Sequence, residues 1–298
     1  MFLILPAMML TSAVGAEFVI SDPQLVNRAE SRFSLPECPS VFTYLGEAVW
    51  VDFTLEWDGD EEQRPEIGGE NLIFDILLDP EDENIIKKQE VTVGNWNDKK
   101  SRVTLKITTS RQDPTNLTAQ LTVSIKNIAD HSLRDAPVKV GTTQLRLGRL
   151  RLDNDLGARG PLVVRWQTEY WDDEGWMPNI EDECTAFNPA DVRYRTTLTG
   201  EEGSALPEAG SPVPLNSHSL NSHSLAGRLS NDDENWRLDL SGGAGKLGFR
   251  RLEGDEPDWL EVRFDPEGIK DVFGEVEWAR LSFGLHAGDR RRVFTLEP

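Results

Sequence analysis

Leu145–Thr185 reads LRLGRLRLDNDLGARGPLVVRWQTEYWDDEGWMPNIEDECT, and this stretch decides the fold. Leu162, Val164, Trp166, Thr168 and Tyr170 alternate with Arg165, Gln167 and Glu169. Period two is the pattern of a half-buried strand rather than of a helix. Asp172-Asp173-Glu174-Gly175 then turns the chain back towards Trp176, with Gly175 supplying a permissive dihedral, so a hairpin is expected. Upstream, Leu145 and Leu147 are odd-numbered whereas Leu150 and Leu152 are even. A strand running straight through would therefore turn its core face to solvent. Either a β-bulge at Gly148-Arg149 restores the register, or the segment breaks into two strands.

Alternation recurs outward from this stretch. Val49, Val51, Phe53, Leu55 and Trp57 share one face, as do Val103, Leu105 and Ile107, and Ala119, Leu121, Val123 and Ile125. Turn-forming residues separate these segments. Further strands are expected at 192–198, 236–240, 260–264, 278–285 and 293–296. The segment 72–89 reads either as strand, loop, strand or as a short helix capped by Asp79 with Pro80 at its first position. Together these features predict an all-β chain of two antiparallel, immunoglobulin-like β-sandwich domains in tandem. The expected boundaries are 1–16 for a leader, 17–138 for the first domain and 139–298 for the second. Residues 200–226, which contain the tandem copy NSHSL-NSHSL, read as a surface loop.

The chain carries a formal charge of -21 with a pI near 4.6. Such a field repels nucleic acid and anionic headgroups and favours cations. The amino terminus has an apolar core from Phe2 to Leu10, with Val14 and Ala16 at the -3 and -1 positions of a cleavage site, although no Lys or Arg precedes Arg28. Export to the periplasm, outer-membrane surface or medium is expected, with no transmembrane segment in the mature chain. Cys38 and Cys184 are the only cysteines, so one intramolecular pairing is possible in an oxidising compartment. Two buried free thiols are the alternative.

No nucleophile, metal or nucleotide motif stands out. Ser241-Gly242-Gly243-Ala244-Gly245-Lys246 imitates a phosphate loop, but Leu247 replaces the required Ser or Thr and the glycine spacing is wrong. His218 and His223 lie in the duplicated loop at a spacing that fits no standard zinc motif. Acidic clusters at Asp58–Glu62, Asp153–Asp155, Asp172–Glu174 and Asn231–Glu234 supply oxygen ligands of the kind calcium takes, yet each sits where a polar turn is expected. No cofactor is expected, with calcium kept as an option. Nine tryptophans invite two readings, core packing or stacking on sugar rings, and Trp171 with Trp176 is the candidate ligand-binding pair because a hairpin tip would expose them.

Three ordered blocks resemble MshQ-like proteins of the mannose-sensitive haemagglutinin pilus apparatus. They are Cys38–Glu47 (CPSVFTYLGE), the Leu145–Thr185 stretch, and Trp259-Leu260 followed by Ala279–Leu285 (ARLSFGL). The resemblance implies a non-enzymatic cell-envelope protein associated with type IV pilus biogenesis or adhesion, partnered by pilus or other envelope proteins. It carries over no site residue. The competing expectation is a secreted carbohydrate-binding module that meets surface glycans.

Overall fold

The computed structural model describes residues 16–28, 30–34, 39–81, 84–111, 118–157, 162–172, 174–187, 191–196, 202–203, 231–232, 235–236, 238–239, 244–249 and 259–283. These are mostly strand, arranged in several antiparallel sheets. The leader, Cys38, nearly all of the 200–226 loop with His218 and His223, His286 and the strand expected at 293–296 lie outside the described residues.

The amino-terminal half contributes β1 (Phe18–Asn27), β2 (Phe42–Tyr44), β3 (Ala48–Trp57), β4 (Leu72–Asp79), β5 (Ile86–Val93), β6 (Lys100–Thr109), β7 (Thr118–Ile128) and β8 (Val138–Arg146). One sheet has the order β1-β3-β6-β5 and the other β2-β8-β7-β4. All contacts within them are antiparallel except β2 against β8. The alternation at 49–57, 103–107 and 119–125 does what it predicts: each apolar set is buried in a core rich in Val, Leu and Ile. The 72–89 segment is strand, loop, strand. The expected boundary at 138/139 falls at the first residue of β8, which pairs with β7 in the first half's own sheet.

The carboxy-terminal half follows with β9 (Gly148–Asp153), β10 (Asp155–Gly157), β11 (Leu162–Asp172), β12 (Gly175–Pro178), β13 (Ala186–Phe187), β14 (Val192–Thr196) and β15 (Glu202–Gly203). Then come β16 (Asn231–Asp232), β17 (Asn235–Trp236), β18 (Leu238–Asp239), β19 (Ala244–Phe249), β20 (Trp259–Phe264), the single described α-helix α1 (Ile269–Phe273) and β21 (Ala279–Phe283). β11 pairs with β9 on one edge and with β12 and β19 on the other, while a second sheet runs β10-β21-β20-β14-β15. Gly245 and Lys246 lie inside β19, in register with Trp166 and Arg165, so the imitation phosphate loop runs into a strand.

The parity change near Gly148 is a break, and its cause is a change of core. Leu145 and Leu147 are buried in the first core, whereas Leu150 is buried in the second and Leu152 packs against it. Gly148 sits at the crossing because a Cβ there would come 2.5 Å from the Tyr44 ring. The second core also draws on distant sequence: Phe33, Phe42 and Tyr44 are buried in it beside Trp166, Phe187, Phe264 and Phe273.

Candidate functional site

The chemistry-bearing groups gather where the two cores meet. At the end of β1, Arg28 adopts a left-handed backbone conformation with φ +54°, uncommon for a residue with a Cβ. Its side chain is fully buried, and so must be paired. Nε donates to Glu47 Oε2 at 2.8 Å, Nη1 to Asp182 Oδ1 at 3.0 Å, and Nη2 to Thr185 Oγ1 at 2.9 Å and the Phe33 carbonyl at 3.2 Å. The guanidinium also lies over the Tyr44 ring, 4.9 Å from its centroid. Glu47, held in the β2–β3 turn, accepts in addition from the Tyr44 amide and the Ser31 hydroxyl.

The carboxy-terminal half supplies the segment between β12 and β13. Asp182, fully buried, accepts from the Cys184 and Thr185 amides, from Thr185 Oγ1 at 2.6 Å and from the Tyr44 hydroxyl at 2.8 Å. Asn179 donates to the Tyr44 hydroxyl at 2.6 Å and accepts from Arg146 Nη1 at 2.6 Å. Arg146 in turn reaches Gln144 and Glu181. Burial alone would lower the Arg28 guanidinium, but Glu47 and Asp182 beside it raise it above its ordinary value. Burial alone would raise Asp182, but Arg28, with Thr185 and Tyr44, holds it below its ordinary value. Burial, with Asp182 next to it, pushes the Tyr44 phenol well above its usual range.

Two further contacts tie the same seam. Arg111 donates to the carbonyls of Val272 at 2.7 Å and of Gly148. At Gly46, φ is +98° and a Cβ would come 1.9 Å from the Asp271 carbonyl oxygen, so a side chain is excluded both by backbone conformation and by the approach of α1. Cys184 is buried and disulfide-bonded, and Cys38 is the chain's only other cysteine. The cystine therefore starts from the residue that donates its amide to Asp182. What this arrangement does chemically is to fix one geometry. A buried charge tolerates only a relative placement of the two cores that keeps its partner in reach.

Trp171 and Trp176 face each other across the β11–β12 hairpin, in register, with ring centroids 5.4 Å apart at 85°. Both are half-buried against the first core, and Arg149 lies over the Trp176 ring at 4.4 Å. The edge-to-face pair thus offers no flat coplanar platform. Asp58 is taken up by the Glu17 amide and Arg134, and Asp153 by Arg151. Among the described residues no group of three or more His, Cys, Asp or Glu side chains is placed to hold a metal ion. His131 packs edge-on against Phe18. No described helix is long and apolar enough to cross a membrane. Sequence reasoning did not find Arg28, Glu47 or Asp182 as a site. Arg28 and Asp182 are 154 positions apart; Tyr44, Gly46 and Glu47 fall in the Cys38–Glu47 block and Asp182 in the Leu145–Thr185 stretch, but nothing local in either marks a shared site.

Residues 146–298, more than half of the chain, match the family model described as DUF6701, fourth domain. The chain belongs to the DUF6701 fourth-domain family. Asp182, Asn179 and Thr185 lie inside the stretch matched to the DUF6701 fourth domain, whereas Arg28, Tyr44 and Glu47 precede it. No curated protein matches. Solved structures that are similar include a conserved domain protein from Bacillus anthracis, 12% identical over 73% of this chain and 68% of that one, with a TM-score of 0.23. A marsupial T cell receptor is 11% identical over 90% and 73%, TM-score 0.24. A protein titled BspA_C_mut is 6% identical over 87% and 98%, TM-score 0.29. Likenesses at these scores carry no weight for fold or function.

Proposed function

We propose that this chain is an MshQ-like, non-enzymatic cell-envelope protein that works with a type IV, MSHA-type pilus in biogenesis or adhesion. In this reading it is exported, starts at Glu17 after removal of the leader, and presents two immunoglobulin-like sandwiches as one rigid spacer to pilus or other envelope proteins. The observation that carries the reading is the buried Arg28–Glu47–Asp182–Tyr44 network. Two domains on a free linker need no such seam, whereas a spacer that transmits position or force does. The immunoglobulin-like part is supported in the first half by strand order. β1-β3-β6-β5 against β4-β7-β8 follows the A-B-E-D and C-F-G order of that sandwich.

The alternative of a carbohydrate module stacking sugars on Trp171 and Trp176 draws little support from two half-buried rings set edge to face. The test is fractionation of the native host, following the polypeptide by mass spectrometry through cytoplasm, periplasm, outer membrane and sheared pili. Recovery with sheared pili, beginning at Glu17 and bridged Cys38 to Cys184, is the expected result. Recovery in the cytoplasm with free thiols would overturn the proposal.

A further inference from the structure

Each of the first half's two sheets ends in two edge strands, and three of these four edges carry a device that stops further pairing. β1 holds Pro23 and a register break between Ser21 and Gln24, β2 is three residues long, and β5 carries Lys87 and Lys88. β4 has none of these. Its eight residues, Leu72–Asp79, include no Pro, Lys or Gly, and its one register shift places the extra residue, Lys126, on β7. Among the described residues, β7 alone pairs with it.

Both faces of the sheet are unfinished at this edge. Leu121, Val123 and Ile125 of β7 are completely buried, whereas Phe74, Ile76 and Leu78 of β4, which pack on the same core, are only half-buried. On the outer face apolar and acidic side chains alternate: Ile73 (42% exposed), Asp75, Leu77 (58% exposed) and Asp79. Neither carboxylate has an ion pair among the described residues. Lys139, in line with Asp75, stands two strands away across Ser124.

We propose that β4 is a docking edge for an extended, basic segment of another protein, which adds to the sheet as a further strand. The edge sets the chemistry of that segment. Its inner face is apolar, to cover Phe74, Ile76 and Leu78, and its outer face alternates apolar residues with Lys or Arg, to lie beside Ile73 and Leu77 and to answer Asp75 and Asp79. Charge argues against a second copy of this chain as the occupant, because it would bring two more carboxylates to the same edge and a further -21 overall. A strand of this length spans about 27 Å. So small an interface gives transient binding, with a Kd of about 10–100 µM. β4 is at the opposite edge of its sheet from β2, whose rings enter the second core, so the site is independent of the seam and of any pilus association.

The experiment titrates the full-length protein against a fluorescent peptide, Val-Lys-Val-Leu-Val-Lys-Val-Leu on a Gly-Ser tail, and follows anisotropy. Comparison peptides replace Lys by Glu, or carry N-methyl groups on alternate amides in one phase or the other. Saturable binding in the stated range is expected, about tenfold weaker for the Glu peptide, and lost in one methylation phase but kept in the other. Leu77→Lys, at an exposed position, blunts the edge and is expected to weaken binding about tenfold or more. Asp75→Lys shifts the preference towards the Glu peptide. Glu275→Gln, which makes the same change in net charge on the second half as Leu77→Lys, leaves binding unaltered. No binding of the Lys peptide, binding untouched by Leu77→Lys, or equal binding of both methylated forms would overturn the proposal. Self-association that Leu77→Lys removes would do so too, by making a second copy the occupant. Slow exchange of every β4 amide in the free protein would place another segment of the chain on the edge, with the same result.

Discussion

The two hydrophobic cores are built in opposite ways. The first is filled by short branched side chains that its own alternating strands deliver, Val49, Val51 and Leu55 from β3, Val103, Leu105 and Ile107 from β6, Leu121, Val123 and Ile125 from β7. The second is richer in large rings, and three of them, Phe33, Phe42 and Tyr44, come from sequence that precedes β3. The buried residues of the first core come from contiguous chain, Phe18 to Leu147, with Trp171 and Trp176 packed against them from the second half; the other core is closed by a strap from the first half, pinned by Arg28 and Glu47. The fourth-domain stretch from residue 146 onward consequently depends on residues outside it. The difference teaches that the seam is not a contact added to two finished bodies but a part of the second one.

The largest expected effect comes from breaking the buried charge network. Arg28→Ala leaves Glu47 and Asp182 buried without their cation, and loss of one partner of such a pair costs about 3–5 kcal/mol. Denaturant unfolding gives the magnitude, and hydrogen exchange gives the place. Amides in β11, β14, β20 and β21 are expected to lose protection while β3 and β6 keep theirs. Equal loss in both halves would show that the cores unfold as one body and would erase the contrast.

Gly46→Ala comes next. The Cβ meets the backbone of Asp271, which has no flexible end to swing away, and the residue must keep a φ of +98°. Overpacking of this kind costs about 1–3 kcal/mol, with the conformational strain in addition. α1 is then expected to exchange faster than it does in the parent. An unchanged α1 would show that the β2–β3 turn can withdraw without cost.

Acid offers a graded version of the same break. The Asp182 carboxyl is held below its ordinary value near 3.8 because Arg28, Thr185 and Tyr44 favour its charged form. A depressed pKa in the folded state means that its contribution is fully present above about pH 4 and is lost as pH falls through the folded value. Stability between roughly pH 4 and pH 2 should therefore fall less steeply in Asp182→Asn than in the parent chain. Parallel slopes would mean that other carboxylates govern acid unfolding.

Legibility in the sequence followed the range of the interaction. Strands β3, β6, β7 and β11 were visible because period-two burial is a local property of each segment. The crossing from one core to the other was visible as the parity change around Gly148, though not as a change of core, because alternation says which side a residue faces and not what lies there. β1 escaped because Pro23 and a bulge between Ser21 and Gln24 interrupt its pattern, and α1 because five residues are too few to show a helical period. The charge network left no trace. Arg28 and Asp182 are ordinary polar residues in polar surroundings of sequence, and only the fold removes the water from both.

The smallest effect concerns Trp171 and Trp176, and it bears on which half their hairpin belongs to. β11 and β12 are strands of the second half, yet both rings pack on the first core, and the Trp171 carbonyl accepts from Thr118 Oγ1 while its amide donates to Leu147. The hairpin thus returns the loan made by the strap, in the opposite direction. Because Trp176 is half-buried, its loss is worth about 1–2 kcal/mol, less than truncation of a fully buried ring. The contrast predicts where that loss appears. If Trp176→Ala loosens β7 and the end of β8, exchange of elements between the halves runs both ways and the two halves are doubly clasped. If it loosens only β11 and β12, the first core is self-sufficient and all the dependence lies on the second.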